Sequence, residues 1–187
     1  MPAAREMAVA GRLELSVRAR RRSEAALVRA ARGGDGTAVE ELFRRHWAGT
    51  YRAAFLVVGD AAAAEDIAQE AFLKAVAALD RFDRRRPLAP WLHRIAVNRA
   101  IDWTRARRPE VSGERDATAP PQAPAGLSDE LVAALAALPA DRRAAVVLRY
   151  VLEYTPGEIA AMLDLPRGTV NSRLRRGLDE LERRLAP

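Results

Sequence analysis

Residues 155–178, TPGEIAAMLDLPRGTVNSRLRRGL, constrain this chain more than any other stretch. They read as two short helices joined by a tight turn. The first has a complete start signal: Thr155 as cap, Pro156 at the first helical position, and Glu158 closing a Thr-x-x-Glu capping box. Its apolar side is Ile159, Ala160 and Leu163, and the small Ala160 lets a second helix cross closely. Asp164 stands where the turn needs a left-handed backbone, which Asp tolerates better than most residues. A second helix from about Arg167 sets Val170, Leu174, Leu178 and Leu181 on one buried stripe. At about 100° per residue, Ser172, Arg175 and Arg176 then point away from that stripe, with Thr169 and Asn171 on its flanks. Arg173 lies nearer the stripe and suits a phosphate or an acidic neighbour. A helix-turn-helix of this kind fits a DNA groove, and these side chains, with Arg167, are the candidates to reach base edges or phosphates.

A chain of 187 residues suffices for one or two small domains, and two is the expectation here. There is no cysteine, so disulfides and thiolate metal sites are excluded. No apolar run approaches the roughly 18 residues of a membrane span, and the basic segment 1–22 lacks the apolar core of a signal peptide. The expectation is a cytoplasmic protein with a disordered basic tail. Its net charge of +6 is unevenly spread. Residues 81–108 hold nine arginines against two aspartates, whereas residues 127–187 balance nine basic against nine acidic side chains. A second basic patch therefore exists apart from the helix-turn-helix.

Helical periodicity runs nearly throughout, and no stretch sustains two-residue alternation, so the expected class is all-α. Ser23 caps a first short helix to Arg32. Thr37 is the expected cap of a longer helix to about Val58, ended by Gly59, with Val39, Leu42, Phe43, Tyr51, Phe55 and Leu56 as core candidates. A third, from Ala62 to about Leu79, is amphipathic. It sets Ala64, Ile67, Ala68, Ala71, Phe72, Ala75 and Leu79 against Glu65, Asp66, Gln69, Glu70 and Lys74. That acidic face is either solvated or a docking surface. A fourth helix starts near Ala89 or Pro90 and carries Trp91, Leu92, Ile95, Ile101 and Trp103. Before it lies RFDRRRP, residues 81–87, too polar to be buried; its Phe82 is either core or a stacking platform. Residues 109–126, rich in proline and small residues, cannot form a core and read as a flexible linker. The division is thus a tail at 1–22, a helical domain at 23–108, a linker at 109–126 and a four-helix domain at 127–187. Leu131, Leu135, Leu138, Val147, Leu148 and Val151 are expected in the core of the last.

Two small helical domains, each with a basic element, need a common explanation. The segments AEDIAQEAFLKAVAALDRFD (64–83), PLAPWLHRIAVNRAIDWTRARR (87–108) and LPADRRAAVVLRYVLEYTPGEIAAMLDLPRGTVNSRLRRGLDEL (138–181) resemble the extracytoplasmic-function sigma factors, small two-domain members of the sigma-70 family. The resemblance implies that Glu65, Asp66, Gln69, Glu70 and Lys74 dock on the clamp helices of the RNA polymerase β′ subunit, with the β flap as a second contact. It implies that the loop carrying Phe82, Arg84, Arg85 and Arg86, with Asn98, Arg99, Asp102 and Arg105 on the following helix, captures the minus 10 element of promoter DNA. A flipped base costs a few kcal/mol of unstacking, which arginine–phosphate contacts and a shaped pocket offset. The second domain resembles the module that reads the minus 35 duplex, through Arg167, Thr169, Asn171, Ser172, Arg173, Arg175 and Arg176. An anti-sigma factor is the usual control in that family. Asn171 stands where a basic residue is common and Arg175 where an aromatic or histidine is common, so no minus 35 sequence carries over.

Nothing in the chain reads as an enzyme. His46 and His93 stand without ligand spacing around them, and Gly33, Gly34 and Gly36 lack the strand and lysine of a phosphate loop. Glu65 and Asp66 have no second carboxylate pair to divide acid and base roles. No cofactor or metal is expected. The competing reading is a helix-turn-helix regulator that acts without joining the polymerase, with 23–108 serving dimerisation.

Overall fold

The computed structural model describes residues 23–107 and 126–186. The expected basic tail and nearly all of the expected linker lie outside the described residues. Eight α-helices account for most of what is described, and each start is set by local chemistry. Helix α1 (Glu24–Arg32) begins at Ser23, whose hydroxyl accepts from the Ala26 amide at 3.3 Å. Helix α2 (Gly36–Val58) is capped by Asp35, which accepts from the amides of Thr37 and Ala38 at 3.0 and 3.2 Å. The expected cap, Thr37, lies inside the first turn instead. A carboxylate two residues earlier satisfies the same orphan amides and adds a favourable interaction with the helix dipole. Gly59, left-handed at φ 71°, closes α2 as expected.

Asp60 caps helix α3 (Ala61–Ala77), and a 3₁₀ turn at Leu79–Arg81 leads to the arginine loop and helix α4 (Leu88–Ala106). Helix α2 is the spine of this half, with α1, α3 and α4 all packed against it. All seven apolar residues assigned to α3 are buried. Of the core candidates on α2, Leu42, Phe55 and Leu56 are buried and Val39 and Tyr51 half-buried, whereas Phe43 is 39% exposed and stacks on Trp47 at 4.7 Å, because it faces outward over the α2–α3 seam.

The other half holds helices α5 (Asp129–Ala136), α6 (Ala140–Val146), α7 (Pro156–Leu163) and α8 (Arg167–Leu185). A π turn at Val147–Val151 continues α6. Leu135, Leu138, Val147 and Leu148 are buried as expected, while Leu131 and Val151 are only partly covered. The apolar core is continuous between halves: Ala53–Val58 with Ala96, Val97, Ala100 and Ile101 belong to the same buried cluster as Leu138, Leu148, Ile159 and Val170. A smaller cluster packs Leu27 and Val28 of α1 against Leu42, Phe72, Leu79, Phe82, Leu88 and Leu92. No described helix is long and apolar enough to cross a membrane.

Candidate nucleic-acid interface

The helix-turn-helix forms from α7 and α8. Thr155 Oγ1 accepts from the Glu158 amide at 3.3 Å, and Glu158 Oε2 accepts from the Thr155 amide at 2.8 Å, so the capping box closes in both directions. That backbone hydrogen bond and one from the Thr155 hydroxyl hold the Glu158 carboxyl below its ordinary pKa. Asp164 adopts the left-handed conformation at φ 52°. Ile159 and Met162 are the buried residues of α7, and Leu163 is only half-buried, so the packed face is rotated from the one the sequence suggested. On α8 the buried residues are Val170, Leu174, Gly177 and Leu181, with Gly177 in the place expected of Leu178.

Arg167, Asn171, Arg175 and Arg176 are exposed on α8, and Thr169, Ser172 and Arg173 are half-buried. Among the described residues no acidic side chain pairs with Arg167, Arg175 or Arg176. These three are therefore available to an external anion. Arg173 follows the acidic-neighbour alternative, lying 3.3 Å from Asp141 Oδ2.

In the first half, Arg84, Arg85 and Arg86 are all exposed. Asp83 organises them locally: its carboxylate accepts from the Arg85 amide at 3.0 Å and lies 3.9 Å from the Arg86 guanidinium. Phe82 is buried and stacks on Trp91 at 4.9 Å, so its ring belongs to the core beneath the loop in this conformation. Farther along α4, Asn98 donates to the Met162 carbonyl at 3.1 Å, and Arg105 reaches Asp141 Oδ1 at 2.7 Å. Asp102 is exposed. Asp141 thus joins an arginine from each candidate DNA element.

On α3, Glu65, Asp66, Gln69 and Lys74 are exposed, and Glu70 is half-buried. Glu70 pairs with Lys74 at 2.7 Å and with Arg99 at 2.8 Å. Hydrogen bonds from Lys74 first, then Arg99, hold its carboxyl below the ordinary value. The acidic face and the basic α4 therefore meet at one pair. Among the described residues no group of three or more His, Asp or Glu side chains is placed to hold a metal.

Several residues that shape these surfaces gave no sequence signal. Arg143 is 6% exposed and donates to the carbonyls of Val57, Ala136 and Leu138 at 2.7, 2.6 and 2.9 Å. Glu24 and Arg32 reach from α1 to the arginine loop. Their partners are 64 and 47 residues away, respectively, beyond the reach of any periodicity argument.

A helix-turn-helix with an exposed arginine face, joined to a second helical unit with its own arginine loop, defines a DNA-binding protein with two distinct basic elements. The sequence matches the sigma-70 region 2 family over residues 27–110 and the sigma-70 region 4 family over residues 128–181. It is 32% identical over 176 residues to the ECF RNA polymerase sigma factor SigW of Bacillus subtilis, covering 84% of this chain and 94% of that one. Among solved structures, it is similar to the sigma factor RpoE in complex with the anti-sigma factor NepR from Bartonella quintana. That likeness has a TM-score of 0.65 at 26% identity and covers 78% of this chain and 95% of the other. CnrH in complex with the cytosolic domain of CnrY gives a TM-score of 0.64 at 27% identity, over 86% and 95% of the two chains. The chain belongs to the extracytoplasmic-function sigma factors of the sigma-70 family, proteins that direct RNA polymerase to promoters. The reading as a regulator that never joins the polymerase is not favoured.

Proposed function

We propose that the two basic elements divide promoter recognition between them. Helix α8 enters the major groove of a minus 35 duplex, with Arg175 and Arg176 reading bases or holding phosphates and Arg167, Thr169, Asn171 and Ser172 beside them. The loop at 82–87 and the α4 residues Asn98, Arg99, Asp102 and Arg105 capture the melted minus 10 strand. Glu65, Asp66, Gln69, Glu70 and Lys74 of α3 dock on the β′ clamp helices, and the second domain meets the β flap. The observation that carries this reading is the separation of two exposed arginine groups: one on a rigid recognition helix suited to duplex, one on a loop suited to a splayed strand. The protein works in the cytoplasm, where core polymerase acts, and contributes no chemical step of its own. An anti-sigma factor controls it, as the complex of RpoE with NepR suggests by analogy.

Run-off transcription with core polymerase and a pooled promoter library, with and without this chain, tests the reading. Protein-dependent transcripts are expected, and their aligned start sites give both promoter elements. Duplex binding by the chain alone, with no gain of promoter specificity by the polymerase, would sink it.

A further inference from the structure

The arginine loop has few bonds of its own. Asp83 supplies the internal ones, and three consecutive exposed arginines repel one another, so an untethered loop would sample many shapes. Its two ends are held instead by α1. On the entry side, the Arg32 guanidinium donates from Nε to the Leu79 carbonyl at 2.8 Å and from Nη2 to the Phe82 carbonyl. On the exit side, Glu24 Oε1 accepts from the amide of Leu88 at 2.7 Å.

That amide is the first of α4, which has no side-chain cap of its own. Glu24 therefore serves as a cap supplied from another helix. Its second oxygen lies 2.8 Å from His46 Nε2 on α2. Glu24 and Arg32 stand at opposite ends of α1, eight residues or about 12 Å apart. Between them Leu27 and Val28 pack into the same cluster as Leu79, Phe82 and Leu88. One short helix thus spans the mouth of the loop as a strut, bonded to each lip.

The geometry points to Glu24 and Arg32 as positioning residues that set the aperture of the arginine loop, and so its affinity and base discrimination for the captured minus 10 strand. This rests on the reading of the loop as the strand-capturing element. In this assignment neither residue contacts DNA. Each acts through the backbone it holds: Arg32 fixes the carbonyls of Leu79 and Phe82, and Glu24 anchors the start of α4. A pre-shaped loop loses less conformational freedom on binding than a free one.

The test uses holoenzyme assembled from core polymerase and the full chain. The probes are a single-stranded oligonucleotide copied from the non-template minus 10 strand of a promoter recovered by run-off transcription, and a second with its bases permuted. Arg32→Ala and Glu24→Ala are each expected to weaken binding of the matched strand about fivefold to tenfold and to narrow the matched-to-permuted ratio, with core affinity unchanged. Arg32→Lys, which keeps the charge but can span the two carbonyls less well, falls between. Glu24→Gln keeps an oxygen for the Leu88 amide and binds near the wild-type level. Should an alanine variant fail to fold, these conservative variants carry the comparison. A lowered melting temperature with matched affinity and ratio intact would show α1 to be only structural and would overturn the inference. The triple variant Arg84→Ala, Arg85→Ala, Arg86→Ala separates the two failures. If it loses strand binding while the Glu24 and Arg32 variants do not, the strut is wrong and the loop reading stands. If it binds normally, the loop reading falls, and the strut with it.

Discussion

Gly177 occupies a mid-helix position that glycine disfavours by about 1 kcal/mol relative to alanine. The structure shows the reason: a Cβ built there would lie 2.7 Å from Val146 Cγ2 on α6. The close approach of α8 to α6 is therefore bought with a residue that weakens the helix. Overpacking costs about 1 to 3 kcal/mol, which exceeds the propensity gain, so Gly177→Ala is expected to destabilise the protein by about 1 kcal/mol. Val146→Ala should relieve it, and a double-mutant cycle by urea unfolding should give a coupling of at least about 0.5 kcal/mol. Additive effects would mean that the contact is not what excludes a side chain at 177. The signal for this position was present but easily misread. Val170, Leu174, Gly177 and Leu181 follow four-, three- and four-residue steps, a stricter helical seam than one through Leu178, yet glycine carries no hydrophobic weight in a periodicity count.

At the level of elements, the helix starts and stops were largely legible because they are local. The Thr155–Glu158 box, the left-handed Asp164, Ser23 and Gly59 all act within a few residues of themselves. What was not legible depends on distant partners: the Glu24 cap on α4, the π turn at Val147–Val151, and the shift of the α7 packing face to Met162, which α4 meets through Asn98. The proposed recognition surface of α8 falls between these cases. Its direction followed from helical spacing, but the role of each arginine does not. Arg175→Ala and Arg176→Ala are each expected to weaken promoter binding by holoenzyme, by about 1 to 3 kcal/mol where the residue reads a base. Anisotropy titrations over a salt series divide the roles. A loss confined to the matched sequence marks base reading, a uniform loss with a salt slope lower by about 1 marks phosphate contact, and no loss in either variant would remove α8 from the interface. On α3, Glu70→Lys breaks two pairs with Lys74 and Arg99, but all three side chains are about 40% to 55% exposed. Pairs so solvated contribute about 1 kcal/mol or less, so the fold should persist while core polymerase capture is lost. Normal capture in a pull-down would remove Glu70 from the docking face.

Across the whole molecule, the two halves are joined by more than the linker between them. Arg143 binds the Val57 carbonyl, Asn98 binds the Met162 carbonyl, Asp141 bridges Arg105 and Arg173, and His93 Nδ1 shares a hydrogen bond with Tyr154 Oη at 2.8 Å. The last of these titrates in an accessible range. His93 is 8% exposed, and Gly49 of α2 leaves no room beside its ring, a Cβ there lying 3.3 Å from Nε2. Burial first, then the charge of His46, pushes its pKa down to about 4, while burial and then Glu158 raise Tyr154 to about 12, so both are neutral near pH 7. An unfolded histidine titrates near 6.5. Above that pH neither state is protonated and the group contributes nothing. Between about 6.5 and 4 the unfolded chain binds a proton that the folded site refuses, so stability falls as the pH falls, and below about 4 the dependence ends. From pH 7 to pH 5 the loss should be about 2 kcal/mol. The lowered carboxyls of Glu41, Glu70, Glu158 and Glu180 weaken the fold mainly as the pH falls through and below 4.5, leaving most of the upper window to His93. Urea unfolding of the wild type and His93→Gln at both pH values isolates the term. Glutamine can still bond the Tyr154 hydroxyl but takes up no proton, so its stability should change by much less over that interval. An equal loss in the two proteins would place the acid sensitivity elsewhere and leave the His93–Tyr154 contact without a part in it.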